Sequence, residues 1–223
     1  MSLYVHPLAP VIGLDIDGTL GDYHSHFVRF CNEIYYPHGL LSGLSPKWAA
    51  TAGEFEVALD LSKSEYRAAK LAYRMGGLKR SMPLFPCDAE DGIKGEIQYI
   101  RSLGIQVWIC TTRPWLSLTT IDQDTQYWLE HNVGPVDGLI YGEDKYRDLI
   151  SIVGMSRVLG VLDDLPENVE RAKALGLRSA LRRGPHNVWW ASSHSPVYRN
   201  TQVFNQARDI SSIAEEWKQI HRG

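Results

Sequence analysis

Short apolar runs alternate with longer amphipathic stretches along most of this chain, and that alternation limits the possible folds more than any other feature. The runs predict strands at 11–16, 106–111, 138–141, 158–162 and 178–181. Helices are predicted between and after them, at about 89–103, 119–132, 144–152, 166–175 and 206–220. The first, second and fourth runs are almost entirely apolar, which is typical of parallel strands covered on both faces. The pattern therefore predicts a doubly wound parallel α/β sheet.

A long interval after the first strand interrupts this alternation. It predicts a helix at about 23–36, a loop rich in Gly, Pro and Ser at 37–47, and a second helix at about 53–75. We therefore expect a Rossmann-like α/β core formed by residues 1–20 and 88–223. Residues 21–87, called here the cap segment, are expected to form a small helical cap inserted after the first strand.

The charge of the chain is almost balanced, which excludes some classes of partner. The 23 Lys and Arg residues face 26 Asp and Glu residues, so no overall cationic field attracts nucleic acid or an anionic membrane. No apolar run approaches the roughly 18 residues that span a bilayer. The three cysteines form no CxxC pair, and no secretory signal is visible. We therefore expect a cytoplasmic protein with no membrane partner.

Two of the apolar strands end in acidic pairs. The first strand leads into Asp15 and Asp17, followed by Gly18, and the fourth leads into Asp163 and Asp164. Ligands of open α/β sheets bind beyond the carboxyl ends of the strands. Carboxylates gathered there repel one another, and a hard cation such as Mg²⁺, which prefers oxygen ligands, relieves that repulsion. An Asp-Gly turn in solvent explains one such pair, but not two at separate buried strands.

Two further elements stand at the same edge of the predicted sheet. Thr111, Thr112 and Arg113 close the second strand, where a hydroxyl and free amides can hold a phosphate oxygen. Lys145 lies just inside the helix that follows the third strand. Alone, these are an ordinary strand-ending threonine and a surface lysine. Together with the acidic pairs they form an ordered set of polar groups.

That ordered set resembles the motifs of the haloacid dehalogenase-like phosphohydrolases. The order is Asp15-Ile-Asp17-Gly18-Thr19, then Thr111, then Lys145, then Asp163-Asp164. A single helical insertion after the first motif resembles the C1-capped group of that superfamily. Within it, the sequence is most similar to the 5′(3′)-deoxyribonucleotidases around Cys110-Thr-Thr112, Tyr127–Glu130 and Leu162–Asn168.

The resemblance implies roles for the core residues. Asp15 is the implied nucleophile that forms an aspartyl-phosphate. Asp17 is the implied general acid and later base, a task that requires a raised pKa. Lys145 is implied to neutralise Asp15 and the phosphate. The implied phosphate-binding groups are Gly18, Thr19, Thr111, Thr112 and Arg113. The implied Mg²⁺ ligands are Asp15, the backbone carbonyl of Asp17, and either Asp163 or Asp164, of which we favour Asp164.

The cap segment is expected to select the substrate. Four cations share one face of its second predicted helix: Lys63, Arg67, Lys70 and Arg74. This face is either a solvated surface or a wall that attracts an anion. Trp48 is the first candidate for stacking on a base. His24 and His26 either touch the substrate or lie in solvent.

These features support several functions. The leading hypothesis is a Mg²⁺-dependent phosphatase that acts on small phosphate esters. The expected substrates are nucleoside monophosphates, and deoxyribonucleotides in particular. The nearest alternative is a polynucleotide 3′-phosphatase acting on a DNA 3′ end, since Arg113 follows the threonines and the basic helix face of the cap segment would suit a DNA backbone. A phosphomutase uses the same covalent chemistry, and a non-catalytic nucleotide-binding scaffold is a further alternative. The oligomeric state stays open.

Overall fold

The computed structural model describes residues 6, 8–35, 61–85, 91–114, 118–184, 186–187, 201–206 and 208–222. Its strands are β1 (Val11–Leu14), β2 (Gln106–Thr111), β3 (Gly138–Tyr141), β4 (Val158–Asp163), β5 (Ser179–Arg182) and β6 (Gln202–Phe204). Its α-helices are α1 (Tyr23–Phe30), α2 (Lys63–Met75), α3 (Gly92–Ser102), α4 (Thr120–Asn132), α5 (Lys145–Val153), α6 (Pro166–Ala174) and α7 (Asp209–Arg222). A π-helical turn, Cys31–Tyr35, extends α1, and a 3₁₀ turn, Met155–Arg157, precedes β4.

The six strands form one parallel sheet in the order β3-β2-β1-β4-β5-β6. The chain builds outwards from β1 in one direction and then returns to add β4 on the other side. The strand order therefore reverses between β1 and β4, which is where ligands bind in doubly wound sheets. The Rossmann-like α/β fold predicted from the sequence is confirmed.

The sheet is covered on both faces, as its apolar strands require. Ile12 and Leu14 of β1 belong to the apolar core that includes the buried residues of α3 and α7. Val11 belongs to the opposite core, which includes buried residues of α5 and α6. Successive side chains of a strand point to opposite faces, so a strand with helices on both sides needs apolar residues at every position.

Most predicted elements are present with small changes at their ends. β1 ends at Leu14, two residues earlier than predicted, because the chain turns at the first acidic pair. β5 is shifted by one residue, and β6 was not predicted because three residues are too few to show an alternating pattern. The predicted helix at 23–36 is α1 followed by the π-helical turn.

The second helix of the cap segment begins at Lys63, within the predicted range of 53–75. Ser62 caps it by accepting a hydrogen bond from the Glu65 amide, and the Glu65 carboxylate accepts one from the Ser62 amide. This capping box fixes where the helix starts. Residues 53–60 lie outside the described residues.

The two ends of the cap segment run side by side. The Asp22 amide donates to the Pro83 carbonyl (2.8 Å), and the Phe85 amide donates to the Leu20 carbonyl (3.1 Å). Helices α1 and α2 then pack through aromatic rings, and Phe27 contacts both Tyr66 and Tyr73 edge to face. This pairing places α1 and α2 next to the carboxyl end of β1. The domain division at residues 20 and 88 stays a prediction. None of the described helices has the length and apolar character required to cross a membrane.

Candidate active site

The two acidic strand ends meet because β1 and β4 are neighbours. Leu14 pairs in register with Leu162, so Asp15 follows β1 at the level where Asp163 ends β4. The Asp15 amide donates to the Leu162 carbonyl (3.0 Å), which fixes this register. Carboxylate oxygens of Asp15, Asp163 and Asp164 all lie within 4.8 Å of one another. These three buried residues are called the acid cluster below.

Lys145 supplies the positive charge at the centre of the acid cluster. Its ammonium lies 2.6 Å from Asp15 Oδ1 and 2.7 Å from Asp163 Oδ2, and the residue is 1% exposed. The lysine stands at the first position of α5, directly after the turn that follows β3. Burial alone would lower the pKa of Lys145, but the two carboxylates outweigh it and hold the pKa above its ordinary value.

Asp163 is fully occupied by hydrogen-bond donors. Its Oδ2 accepts from the Tyr146 hydroxyl as well as from Lys145, and its Oδ1 accepts from the Leu165 amide (2.9 Å). The Asn168 amide group lies 3.1 Å from both oxygens. Asp163 is therefore placed to orient Lys145 rather than to bind another group.

Asp164 is held differently. Its Oδ2 lies 2.9 Å from His24 Nε2 and 2.9 Å from His186 Nε2. Its Oδ1 is buried and has no hydrogen-bond partner among the described residues. Burial opposes ionisation, but the hydrogen bonds from His186 and His24 hold the pKa of Asp164 below its usual range. A buried, ionised oxygen without a donor is available to a cation.

The acid cluster fits a hard divalent cation such as Mg²⁺. Lys145 pairs with two of the three carboxylates, those of Asp15 and Asp163. Burial together with the neighbouring Asp163 and Asp164 raises the pKa of Asp15 well above its usual range despite Lys145. The donors are all oxygens, which Mg²⁺ prefers. Since the oxygens of Asp163 are already occupied, the geometry favours Asp15 and Asp164 as the side chains that would hold the ion.

Asp17 lines the same cavity but pairs with two cations instead of joining the acid cluster. Arg113 binds it through two nitrogens, with Nη2 2.7 Å from Oδ1 and Nε 3.2 Å from Oδ2, and Lys79 of the cap segment also pairs with Oδ2. Burial would raise the pKa of Asp17, but the Arg113 guanidinium and the Lys79 ammonium hold it well below its usual range. These contacts oppose the raised pKa that the implied acid and base role of Asp17 requires, because two cations from distant parts of the sequence contact this carboxylate.

Lys79 was not singled out by the sequence because no motif connects it to Asp17. It follows the Gly76-Gly77 turn at the end of α2, and its ammonium lies 3.7 Å from the centre of the Tyr23 ring. Burial, with Arg113 close by, lowers the pKa of Lys79 to about 7 although Asp17 opposes this shift.

The predicted phosphate-binding residues occupy different surroundings. Thr112 and Arg113 line the cavity beside Asp15, although Arg113 also donates to Thr125 (3.0 Å). Thr111 is buried and accepts a long hydrogen bond from the Arg113 amide (3.4 Å). The hydroxyl of Thr19 is buried without a hydrogen-bond partner among the described residues. Trp48 lies outside the described residues.

Gly18 has a structural reason to be glycine that the motif alone does not reveal. Its amide already donates to the Gly21 carbonyl (2.8 Å), so this amide is not open to a phosphate oxygen. Its φ is 96°, and an added Cβ would stand 2.0 Å from Asp164 Oδ2. The absence of a side chain at Gly18 is therefore what lets Asp164 approach the first turn.

The cavity at this site has a volume of about 60 Å³. The cap segment contributes Tyr23, His24, Tyr66, Lys70, Arg74 and Lys79 to its lining. The core contributes Asp15, Asp17, Thr112, Arg113, Asp164, Leu165 and Asn168. Two of the four cations on α2, Lys70 and Arg74, therefore reach the site. The other two, Lys63 and Arg67, are exposed. His26 instead lies 2.6 Å from the Tyr73 hydroxyl.

Several solved structures share this fold. A candidate phosphoglycolate phosphatase from Lactobacillus plantarum is 16% identical, with a TM-score of 0.61 over 92% of this chain and 99% of its own. A haloacid dehalogenase-like family hydrolase from Xanthomonas campestris is 13% identical, with a TM-score of 0.58 over 96% and 98%. CbbY from Rhodobacter sphaeroides, in complex with xylulose-(1,5)bisphosphate, is 17% identical, with a TM-score of 0.55 over 90% and 96%.

No protein-family model matches the sequence, and no curated protein is significantly similar to it. The identities to the solved structures are low, so the likeness concerns the fold. The chain has the fold of the haloacid dehalogenase-like hydrolases.

The close approach of Gly18 to Asp164 predicts a specific effect of Gly18→Ala. The matched control is Gly77→Ala, because Gly77 also has a positive φ (69°) but an added Cβ there meets nothing within 4 Å. We expect Gly77→Ala to lower the free energy of unfolding by about 1–2 kcal/mol through backbone conformation alone. Gly18→Ala should lower it further and weaken Mg²⁺ binding at least about tenfold, because Asp164 must move.

Urea unfolding and calorimetric Mg²⁺ titration measure the two effects. Equal losses of stability with unchanged Mg²⁺ affinity in both variants would show that Asp164 does not depend on Gly18.

Proposed function

We propose that this protein is a phosphatase that hydrolyses phosphoric monoesters through an aspartyl-phosphate on Asp15, with Mg²⁺ as its cofactor. The observation that carries the proposal is the buried Lys145, which joins Asp15 to Asp163 where the strand order reverses. A nucleophilic carboxylate next to an anionic phosphate requires such fixed positive charge. The fold shared with haloacid dehalogenase-like hydrolases agrees with this chemistry.

The first chemical step belongs to Asp15. Lys145 holds Oδ1, so Oδ2 is the oxygen that we assign to attack phosphorus. As the bond from Oδ2 to phosphorus forms, the bond from phosphorus to the leaving oxygen breaks, and Asp15 carries the phosphoryl group. Water then attacks the phosphorus, which releases inorganic phosphate and restores the carboxylate. Bound through Asp15 and Asp164, Mg²⁺ would supply further neutralisation of negative charge.

The proton for the leaving oxygen is assigned to the pair of Asp17 and Lys79. The sequence resemblance gives the acid and base role to Asp17 alone, but Arg113 and Lys79 favour its ionised form. Lys79 carries a proton on the same hydrogen bond, and its pKa of about 7 lies where general acids work well. We propose that Lys79 gives this proton to the leaving oxygen and that the pair takes one back from the attacking water.

The substrate is proposed to be a small phosphate ester whose leaving group carries a second anionic group. Lys70 and Arg74 line the cavity on the side of the cap segment. Two of the structures with this fold are a candidate phosphoglycolate phosphatase and a complex with xylulose-(1,5)bisphosphate, and both of these phosphate esters carry such a group. We keep residues 21–87 as the proposed C1-type cap that forms this side of the site.

Nucleoside monophosphates are the second candidate substrates. Tyr66 lines the cavity next to Lys70, whose ammonium lies 5.2 Å from the ring centre, and this buried aromatic face favours a base. The motifs at Cys110-Thr-Thr112, Tyr127–Glu130 and Leu162–Asn168, which resemble those of the deoxyribonucleotidases, support the same candidate. A polynucleotide 3′ end would instead rely on the exposed Lys63 and Arg67.

Asp15→Asn is expected to abolish phosphatase activity and leave the fold intact. Removing the nucleophile should lower kcat by at least about 1,000-fold. The free energy of unfolding should stay equal or rise, because one of the three crowded carboxylates loses its charge. The matched control is Asp148→Asn, an exposed acid on α5 that should keep wild-type kcat. Phosphate release with Mg²⁺ and urea unfolding measure both quantities, and near-normal kcat for Asp15→Asn would contradict the assignment.

The double variant Lys70→Gln/Arg74→Gln is expected to change substrate selection. Loss of charge-assisted hydrogen bonds worth about 1.5–3 kcal/mol should raise KM by about 10- to 100-fold for phosphoglycolate and sugar bisphosphates. The KM for p-nitrophenyl phosphate, which has no second anionic group, should change much less. Lys63→Gln/Arg67→Gln removes the same charges from the exposed part of α2 and should leave both KM values within about twofold of wild type.

The same phosphate-release panel includes 3′- and 5′-nucleoside monophosphates and a 3′-phosphorylated oligonucleotide. Highest kcat/KM on nucleoside monophosphates would select the nucleotidase alternative. Preference for the oligonucleotide, lost in Lys63→Gln/Arg67→Gln and falling steeply with salt, would select the 3′-phosphatase alternative. If none of these esters releases phosphate, the proposed phosphatase activity is contradicted and a non-catalytic nucleotide-binding protein is favoured.

A further inference from the structure

A second group of potential metal ligands lies on the other side of Asp164. His24 Nε2 and His186 Nε2 each lie 2.9 Å from Asp164 Oδ2. His186 and Asp164 are buried, and the His24 side chain is 11% exposed. The two imidazole rings lie 4.2 Å apart between their centres and are tilted by 48°. Both rings therefore aim the same nitrogen at one carboxylate oxygen.

The chemistry of this group differs from that of the acid cluster. Two imidazoles and one carboxylate are the ligand set that suits borderline divalent transition metals such as Mn²⁺, Co²⁺ and Zn²⁺, whereas an all-oxygen set suits Mg²⁺. The spacing is compatible with one ion, since one ligand atom from each of the three residues lies within 4.8 Å of the others.

The two oxygens of Asp164 face different partners. Oδ2 meets the two histidines, whereas Oδ1 is buried without a hydrogen-bond partner among the described residues. A carboxylate oxygen of Asp164 also lies within 4.8 Å of carboxylate oxygens of Asp15 and Asp163. One carboxylate can therefore serve two cations, with Oδ2 on the histidine side and Oδ1 left for the acid cluster.

We propose that His24, His186 and Asp164 form a second metal site, which binds a borderline transition-metal dication and shares Asp164 with the acid cluster. His24 belongs to α1 in the cap segment, whereas His186 follows β5 in the core. An ion at this site links the cap segment to the core. The proposal does not rest on the phosphatase activity, since metal binding is its readout.

Cobalt binding in the presence of Mg²⁺ tests this proposal. Metal-free wild-type protein is first saturated with Mg²⁺ and then titrated with Co²⁺, and binding is followed by calorimetry and by visible absorption. We expect one Co²⁺ per chain with absorption bands of a nitrogen- and oxygen-ligated ion. His24→Gln/His186→Gln should weaken Co²⁺ binding at least about tenfold and remove those bands.

Two control variants separate the sites. His26→Gln changes a histidine on the same helix that contacts Tyr73 instead of Asp164, and it should bind Co²⁺ like wild type. Asp15→Asn alters the acid cluster alone and should keep the Co²⁺ bands. Absence of phosphatase activity in the wild-type protein, with Co²⁺ binding intact, would contradict the proposed function and leave the second site standing.

The opposite results would overturn the second site. One such result is that the wild-type protein binds no Co²⁺ in the presence of saturating Mg²⁺. The other is that Co²⁺ binding survives in His24→Gln/His186→Gln but is lost in Asp15→Asn. If the double variant fails to fold, X-ray absorption of Co²⁺ bound to the wild-type protein decides the question. Scattering from two imidazole ligands is expected, and a shell of oxygens alone would show that the histidines only hold Asp164 by hydrogen bonds.

Discussion

The ammonium of Lys145 is the interaction on which the rest of this site depends. It stands between Asp15 and Asp163 and is itself almost fully buried. Without it, carboxylates from two neighbouring strands would face one another out of water, which costs several kcal/mol per uncompensated charge by a general estimate. Even with it, burial and the charges of Asp163 and Asp164 raise the pKa of Asp15. The remaining excess of negative charge fits a divalent cation.

The sequence predicts what depends on local pattern. The sequence predicts apolar strands such as β2 and β4, and the acids at the ends of β1 and β4, because neighbouring residues determine them. Parallel strands then bring those acids together, since their carboxyl ends meet at one edge. The protonation state of Asp17 cannot be predicted in this way, because it depends on Arg113 and Lys79, which are 96 and 62 residues away along the chain.

The cap segment contributes to the site more than the motif order indicates. Lys79 reaches Asp17 and His24 reaches Asp164, so each of these acids pairs with a group from outside the core. His186 completes the environment of Asp164 from the core side. Spacing along the chain does not predict such contacts, since they form only when α1 and the turn after α2 fold back over the carboxyl end of β1. The surroundings of Asp17 and Asp164 therefore depend on the position of the cap segment, and so would the substrate selection and metal binding proposed above.

Covalent trapping of Asp15 tests the central claim most directly. During turnover of a substrate found by phosphate release, the protein is quenched in acid, reduced with borohydride and digested for mass spectrometry. Borohydride converts an acyl phosphate of aspartate to homoserine, so the proposed mechanism predicts homoserine at position 15 in the wild-type protein and none without substrate. Phosphate release without homoserine at that position, or with the modification at another residue, would contradict the assignment of Asp15 as the nucleophile.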